Sequence, residues 1–295
     1  MTVALAAASS FVATHARMLD RHLLAVHQGL GNVDQTLAAL AAYRNPDGGY
    51  GWGLEPDLRS QESQPCGAIN AFEVFAEVGV VDPNAERLCD WLASVSLSDG
   101  GVPFVLPIRD TVGCAPWWVA GDSTTSSLQI TAAVAAQAYR AATRDPAVAR
   151  HPWLRDATQY CLAQIQAIGS APPAHILSFA LQFLGTAEAS VPAARSLIPD
   201  LVRHVPADGI LPVEGGAEGE VLRPLDYSPD AGTAVRESLP PETIEQDLKR
   251  LADQQQPDGG WPIGWATSSP AALLEWRGYV TVRSLVTLQR NAQAD

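Results

Sequence analysis

Two short acidic strings stand out as places where chemistry could be done. Gly53-Leu-Glu-Pro-Asp-Leu-Arg59 sets Glu55 and Asp57 two residues apart, just ahead of an apolar stretch, and Arg223-Pro-Leu-Asp-Tyr-Ser-Pro-Asp230 carries Asp226, Tyr227 and Asp230. A carboxylic acid held among apolar groups keeps its proton near neutrality and can hand it to an alkene, an epoxide or a leaving group. Glu55, Asp57 and Asp226 are therefore the candidate catalytic residues. The structural alternatives are that Asp57 caps a helix starting near Ser60, with Arg59 in a surface pair, and that Asp226 is a turn residue beside proline. In the functional version Asp226 and Tyr227 lie over the site as a second acid or a lid.

Aromatic residues accompany these acids. Trp52, Trp117, Trp118, Trp265 and Trp276 fall in or near connections rather than deep in helices. Such faces can line a ligand cavity and stabilise a cation, by about 2 kcal/mol or more each when desolvated. Pro116-Trp-Trp118 shares a loop with Gly121-Asp122, so Asp122 joins the candidate ligand-binding set. Arg277, in Trp276-Arg-Gly278, either grips an anionic group or pairs with Glu275 or another acid. Ser123-Thr-Thr-Ser-Ser127 reads as an N-cap region for the helix that follows.

Other chemistries lack their residues. The six histidines show no H-x-x-x-H spacing, and Cys66, Cys89, Cys114 and Cys161 form no C-x-x-C pair, so no metal site and no cofactor are expected. The cysteines are expected to be reduced thiols in a cytoplasmic protein. Lys249 is the single lysine, which disfavours Schiff-base catalysis. With 19 basic against 32 acidic residues the net charge is -13, and no basic stripe offers itself to a phosphate backbone or an anionic membrane. Nucleic acid is not an expected partner, nor is stable membrane insertion, since no apolar run has the length to span. The start of the chain, Met1 to Ser10, is apolar without a basic flank and is not expected to be a signal peptide.

The elements that must position these residues follow from a repeat. Asn45-Pro-Asp-Gly-Gly-Tyr-Gly-Trp52, Ser98-Asp-Gly-Gly-Val-Pro-Phe104 and Gln256-Pro-Asp-Gly-Gly-Trp-Pro-Ile-Gly-Trp265 are near-copies, and Ala207-Asp-Gly-Ile-Leu-Pro212 is a weaker one. Their aspartates, at 47, 99, 208 and 258, are spaced by 52, 109 and 50 residues, so the middle interval spans two periods. The missing loop is expected near residue 153, where His151-Pro-Trp153 interrupts the helical pattern. Asp-Gly-Gly is expected to end a helix, its glycine taking the left-handed conformation of a C-cap. Between loops, apolar residues recur at helical spacing over 33–44, 68–78, 85–97, 127–140, 153–168, 175–184, 193–205, 244–255 and 272–289, while strand-like alternation is scarce. The helix of 68–78 is apolar except for Asn70, Glu73 and Glu77. The segment 214–241, rich in Gly, Pro and acids, is the longest irregular stretch. Five loops at one period imply six helical hairpins. The expectation is an all-α chain, one domain over 1–295, folded as an (α/α)6 toroid around a central cavity.

Gln254-Gln-Gln-Pro-Asp-Gly-Gly-Trp261 resembles the Q-W repeat of triterpene cyclases and the related loops of protein prenyltransferase β-subunits, and Asn45 to Trp52 is a looser copy. The resemblance implies the same ring with an apolar cavity, and Trp261 sealing neighbouring repeats. It also implies metal-independent, acid-initiated cyclisation or isomerisation of an apolar isoprenoid. The Asp-x-Asp-Asp acid motif of class II cyclases is absent, and no cysteine follows Cys161 to supply a prenyltransferase zinc site. The Cys and His ligands of the lanthipeptide cyclases are missing too. Two other readings remain open: a lyase, hydratase or hydrolase acting on a more polar small molecule, and a non-catalytic toroid that binds a ligand or a protein. The wall discriminates between the first two: an apolar lining suits an isoprenoid, whereas inward Arg, Asn and Asp suit a polar ligand.

Overall fold

The computed structural model describes residues 3–292; Met1, Thr2 and the last three residues, on which parts of the start-of-chain and domain-boundary expectations fall, lie outside them. Over the described residues the chain is mostly helical, with one two-residue antiparallel ladder pairing Leu211 with Leu222 and Pro212 with Val221. The helices in chain order begin with α1 (Leu5–His15), α2 (Met18–His27), α3 (Val33–Ala41), α4 (Pro65–Val78) and α5 (Pro83–Val95). Next come α6 (Pro116–Val119), α7 (Leu128–Ala142), α8 (Pro146–Arg150), α9 (Pro152–Gln166) and α10 (Ala174–Ala187). Then α11 (Pro192–Val202), α12 (Pro224–Tyr227), α13 (Ala234–Glu237), α14 (Pro241–Asp253) and α15 (Pro270–Ala292) complete the series.

Local chemistry explains the helix starts. Nine of these helices open on proline, whose fixed φ suits the first turn and whose missing N–H is not needed there. Asn32, Asp82, Ser127, Asp145 and Thr233 each accept a first-turn N–H, so the cap expected within Ser123–Ser127 falls on Ser127 (3.3 Å from the Ile130 nitrogen).

Packing runs around the molecule and returns to its start. Helix α4 packs on α7, α7 on α10, and α10 on the short α12 and α13; α12 meets α14, α14 meets α15, and α15 packs on both α1 and α2, which in turn reaches α4. Helices α3, α5, α9 and α11 lie against successive members of this series. One apolar cluster runs through the whole, from Ala8 and Phe11 to Leu285 and Val286. No helix among the described residues is long and apolar enough to cross a membrane.

The repeat loops differ from expectation in one respect. Their first glycines, Gly48, Gly100, Gly209 and Gly259, all have φ between 72° and 94°. None caps a helix, because α3, α5, α11 and α14 end several residues earlier. Each Gly instead closes a turn, as where Gly48 N–H donates to Asn45 O and Gly259 N–H to Gln256 O (3.1 and 2.8 Å). The repeat aspartate accepts from the N–H two residues on: Asp47 from Gly49, Asp99 from Gly101, Asp208 from Ile210 and Asp258 from Gly260 (2.9–3.1 Å). The degenerate loop is also displaced. His151 only separates α8 from α9, its Nδ1 accepting the Trp153 N–H (3.2 Å), and the connection that corresponds to the repeat loops is 167–173, between α9 and α10.

Candidate functional site

Helices α2, α4 and α15 face one another across a small cavity of about 30 Å³, room for one or two waters. The polar face of α4 supplies Asn70, Glu73 and Glu77, which recur at helical spacing and so share one side. Arg17, Asp20 and His27 enter from the first hairpin, and Tyr279 and Arg283 from α15, with Leu19, Leu23, Leu54, Val74, Val282 and Val286 filling the gaps between them.

These charges are paired with one another. Arg17 donates from Nε and Nη2 to Asp20 (2.9 and 3.2 Å) and from Nη1 to the Leu54 carbonyl (2.9 Å). Glu73 accepts from Arg283 and from the Tyr279 hydroxyl (2.8 Å). Glu77 takes Arg140 from α7, Arg290 from α15 (2.6 Å) and His27 Nε2 (3.2 Å). Burial alone would raise the Glu77 pKa, but Arg140, Arg290 and Arg283 together outweigh it and hold the carboxyl down at about 2. Burial, aided by the same arginines against the pull of Glu77, lowers the His27 pKa. Glu73, Glu77 and their distant arginines were not singled out as site residues from sequence; the signal available was the polar stripe on an otherwise apolar helix.

The two acids of the first string follow Leu54, which lines the cavity; neither is itself a lining residue, but Glu55 lies beside Asn70 and Arg17, which are. Asp57 is 2% exposed. Its Oδ1 accepts from the Thr267 hydroxyl (3.1 Å) and from the N–H and hydroxyl of Ser268 (both 2.9 Å), and its Oδ2 accepts from the Trp276 indole (2.7 Å). Its carbonyl accepts the Ala115 N–H (2.8 Å). Glu55 is partly buried and receives one backbone bond, from the Asp57 N–H at 3.3 Å. Burial pushes the Glu55 carboxyl up to about 8; the Asp57 N–H, Arg17 and nearby Asn70 oppose the shift, and the Asp57 charge adds to it.

Of the expected aromatics, Trp276 and Trp265 join this group. They meet edge-on at 5.1 Å, and Trp276 meets Tyr279 in the same way at 5.5 Å. The others serve elsewhere. Trp52 is half exposed, its indole bonded to Asn45 Oδ1 (2.7 Å), and it has a φ of 55° that bulky side chains rarely adopt. Trp118 stacks on Phe104 (4.8 Å) with its indole N–H unpartnered, and Trp117 is a little under half exposed. Asp122 is exposed and accepts from Thr124 and Thr125, which draw its pKa down to about 2. Arg277 pairs with the repeat aspartate Asp258 (2.9 Å) rather than with Glu275, and lies 4.6 Å above the Phe11 ring. Asp226 is exposed and accepts the Arg223 N–H (2.7 Å), while Tyr227 is buried and donates to the Gly209 carbonyl (2.9 Å). Neither lines the cavity between α2, α4 and α15. Trp261 is fully buried and donates from its indole to the Leu251 carbonyl (2.7 Å).

Among the described residues no group of three His, Cys, Asp or Glu side chains is placed to hold a metal ion. All four cysteines are unpaired, and burial pushes up the thiol pKa of Cys66, Cys89 and Cys161, which keeps them protonated.

No family model matches the chain, and no curated protein does. Among solved structures it is similar to the crystal structure of a protein from Actinoplanes, at 17% identity over 96% of this chain and 89% of that one, with a TM-score of 0.52. The likeness extends to the fold.

Proposed function

We propose that this chain is a single-domain, six-hairpin α/α-toroid and an intracellular acid–base enzyme acting on a small polar molecule, with Glu55 as its proton carrier. The ring reading is supported by the series of contacts that leads from α2 through α4, α7 and α10 to α15 and back. In it the pair α12 and α13 takes the place of a fifth inner helix. Four unpaired cysteines favour a reducing compartment.

One observation carries the functional reading. Glu73, Glu77 and Asp20 are neutralised by cations and Asp57 is saturated by donors, so Glu55 is the one acid beside the cavity with acceptor capacity to spare. Its pKa of about 8 suits a group that both gives and takes a proton near neutrality. Lyase, hydratase and hydrolase chemistry all use such a group.

The isoprenoid cyclase reading has weaker support. Drug-sized and larger ligands need several hundred Å³, whereas this cavity offers about 30 Å³ among ion pairs. The test is a thermal-shift panel of small amines, carboxylates and sugars beside isoprenoid alcohols and diphosphates, followed by turnover assays on whatever binds. Polar members should stabilise the protein, and Glu55→Gln should lower turnover by about 100-fold or more with the helical CD spectrum intact. Stabilisation by isoprenoids alone, or full activity in Glu55→Gln, would sink the proposal.

A further inference from the structure

Building on the proton-carrying role of Glu55, we infer that the ligand of this site is a small organic cation, a primary amine in its ammonium form. Charge accounting around the cavity favours it. Every arginine that lines or borders the space is already committed to a carboxylate of the chain: Arg17 to Asp20 (2.9 Å), Arg59 to Glu275 (2.6 Å), Arg283 to Glu73, and Arg140 and Arg290 to Glu77. A ligand carboxylate or phosphate that took Arg17 or Arg283 would leave Asp20 or Glu73 buried without its cation, which is strongly unfavourable, and one that took Arg140 or Arg290 would compete with Glu77 for it.

Carboxylates are in the opposite position. Glu55 and Asp57 adjoin one another through the Asp57 N–H, and neither forms an ion pair. Asp57 is filled by its four donors, so the open acceptor sites belong to Glu55. An ammonium head brings three donors and no acceptor, the complement of an ionised carboxylate. Trp276, bonded to Asp57, and Trp265, edge-on to it, add aromatic surface of the kind that attracts cations. Any part of the ligand that passes Glu55 into the neighbouring cavity of about 30 Å³, beside Asn70 and Arg17, must be compact. At long range the net charge of -13 raises the local concentration of cations.

The experiment titrates propylammonium, propionate and propanol, matched in size, into the full chain at pH about 7 by calorimetry. Propylammonium should bind in preference to the other two. The free protein holds Glu55 protonated at that pH, and a bound ammonium ion favours its ionised form, so repeating the titration in buffers of different ionisation enthalpy should reveal up to about one proton released per ligand. Glu55→Gln should bind about tenfold or more weakly and release none. Preference for propionate, or binding of none of the three, overturns the cation assignment; the proton-carrier reading then stands or falls separately on turnover in Glu55→Gln. Propylammonium binding that is undiminished in Glu55→Gln and releases no proton overturns the inference as well, because the cation would then be held elsewhere.

Discussion

At Asp57 four donors converge on one buried carboxylate, whereas Glu55, two residues earlier, receives one backbone N–H and has the Asn70 amide beside it. Asp57→Asn would turn an acceptor into a donor among donors, so we expect it to cost about 2–3 kcal/mol in urea unfolding. Glu55→Gln should be neutral at low pH. It should also change the pH dependence of stability. At Glu55 the folded chain holds a proton that the unfolded one has lost between the ordinary carboxyl value of 4.5 and about 8, so the contribution of this group to stability falls as pH rises through that window. Urea midpoints measured across the window should fall less in Glu55→Gln than in the wild type; equal slopes would mean that Glu55 titrates normally. The sequence marked these two acids as exceptional, because a polar string before an apolar helix exceeds what a connection needs. It could not separate their roles, since the donors on Asp57 lie more than 200 residues away, in 267–276.

Among the elements, the repeat loops show why two consecutive glycines are used. The first takes a φ that a side chain disfavours, and the second leaves no room for one: a Cβ on Gly260 would lie 2.8 Å from two Phe11 ring carbons, and one on Gly101 2.6 Å from Ser126 Cβ. Gly260→Ala should therefore cost about 2 kcal/mol or more. Gly264→Ala, only four residues on, should stay within about 0.5 kcal/mol, since its Cβ meets nothing within 4 Å. Thermal or urea unfolding of the pair checks both. Helix positions were legible within a few residues because prolines and Asn, Asp, Ser or Thr caps punctuate them locally. The loop at 167–173 was not, because it lacks Asp-Gly-Gly, and the extra short helix α8 put a decoy break at His151.

For the whole molecule, the seam that matters joins α1 to the last repeat loop and to α15. Ala4 exchanges two bonds with the Gln255 side chain (2.8 and 3.1 Å), and Phe11, 1% exposed, lies beneath Arg277 and against Gly260. Phe11→Ala should cost about 3–5 kcal/mol and still unfold in one transition if the seam is integral to the core. A separate early transition would show that α1 is an appendage. The repeat period and the helical spacing between its loops made an all-α chain legible. They left the contents of the centre unread, because Glu73–Arg283 and Glu77–Arg290 join residues on helices far apart in the chain.

Those interior pairs also decide how the molecule responds to ionic strength. Counterions cannot reach Glu77, which is 4% exposed, so dissolved salt has little hold on the attractions at the centre. The surplus of 13 negative charges that remains after all pairing repels itself across a surface that counterions do reach. Salt should consequently relieve repulsion while sparing attraction, and raising NaCl from about 0.05 to about 0.5 M should lift the melting temperature rather than lower it. Such a protein tolerates brine better than dilution.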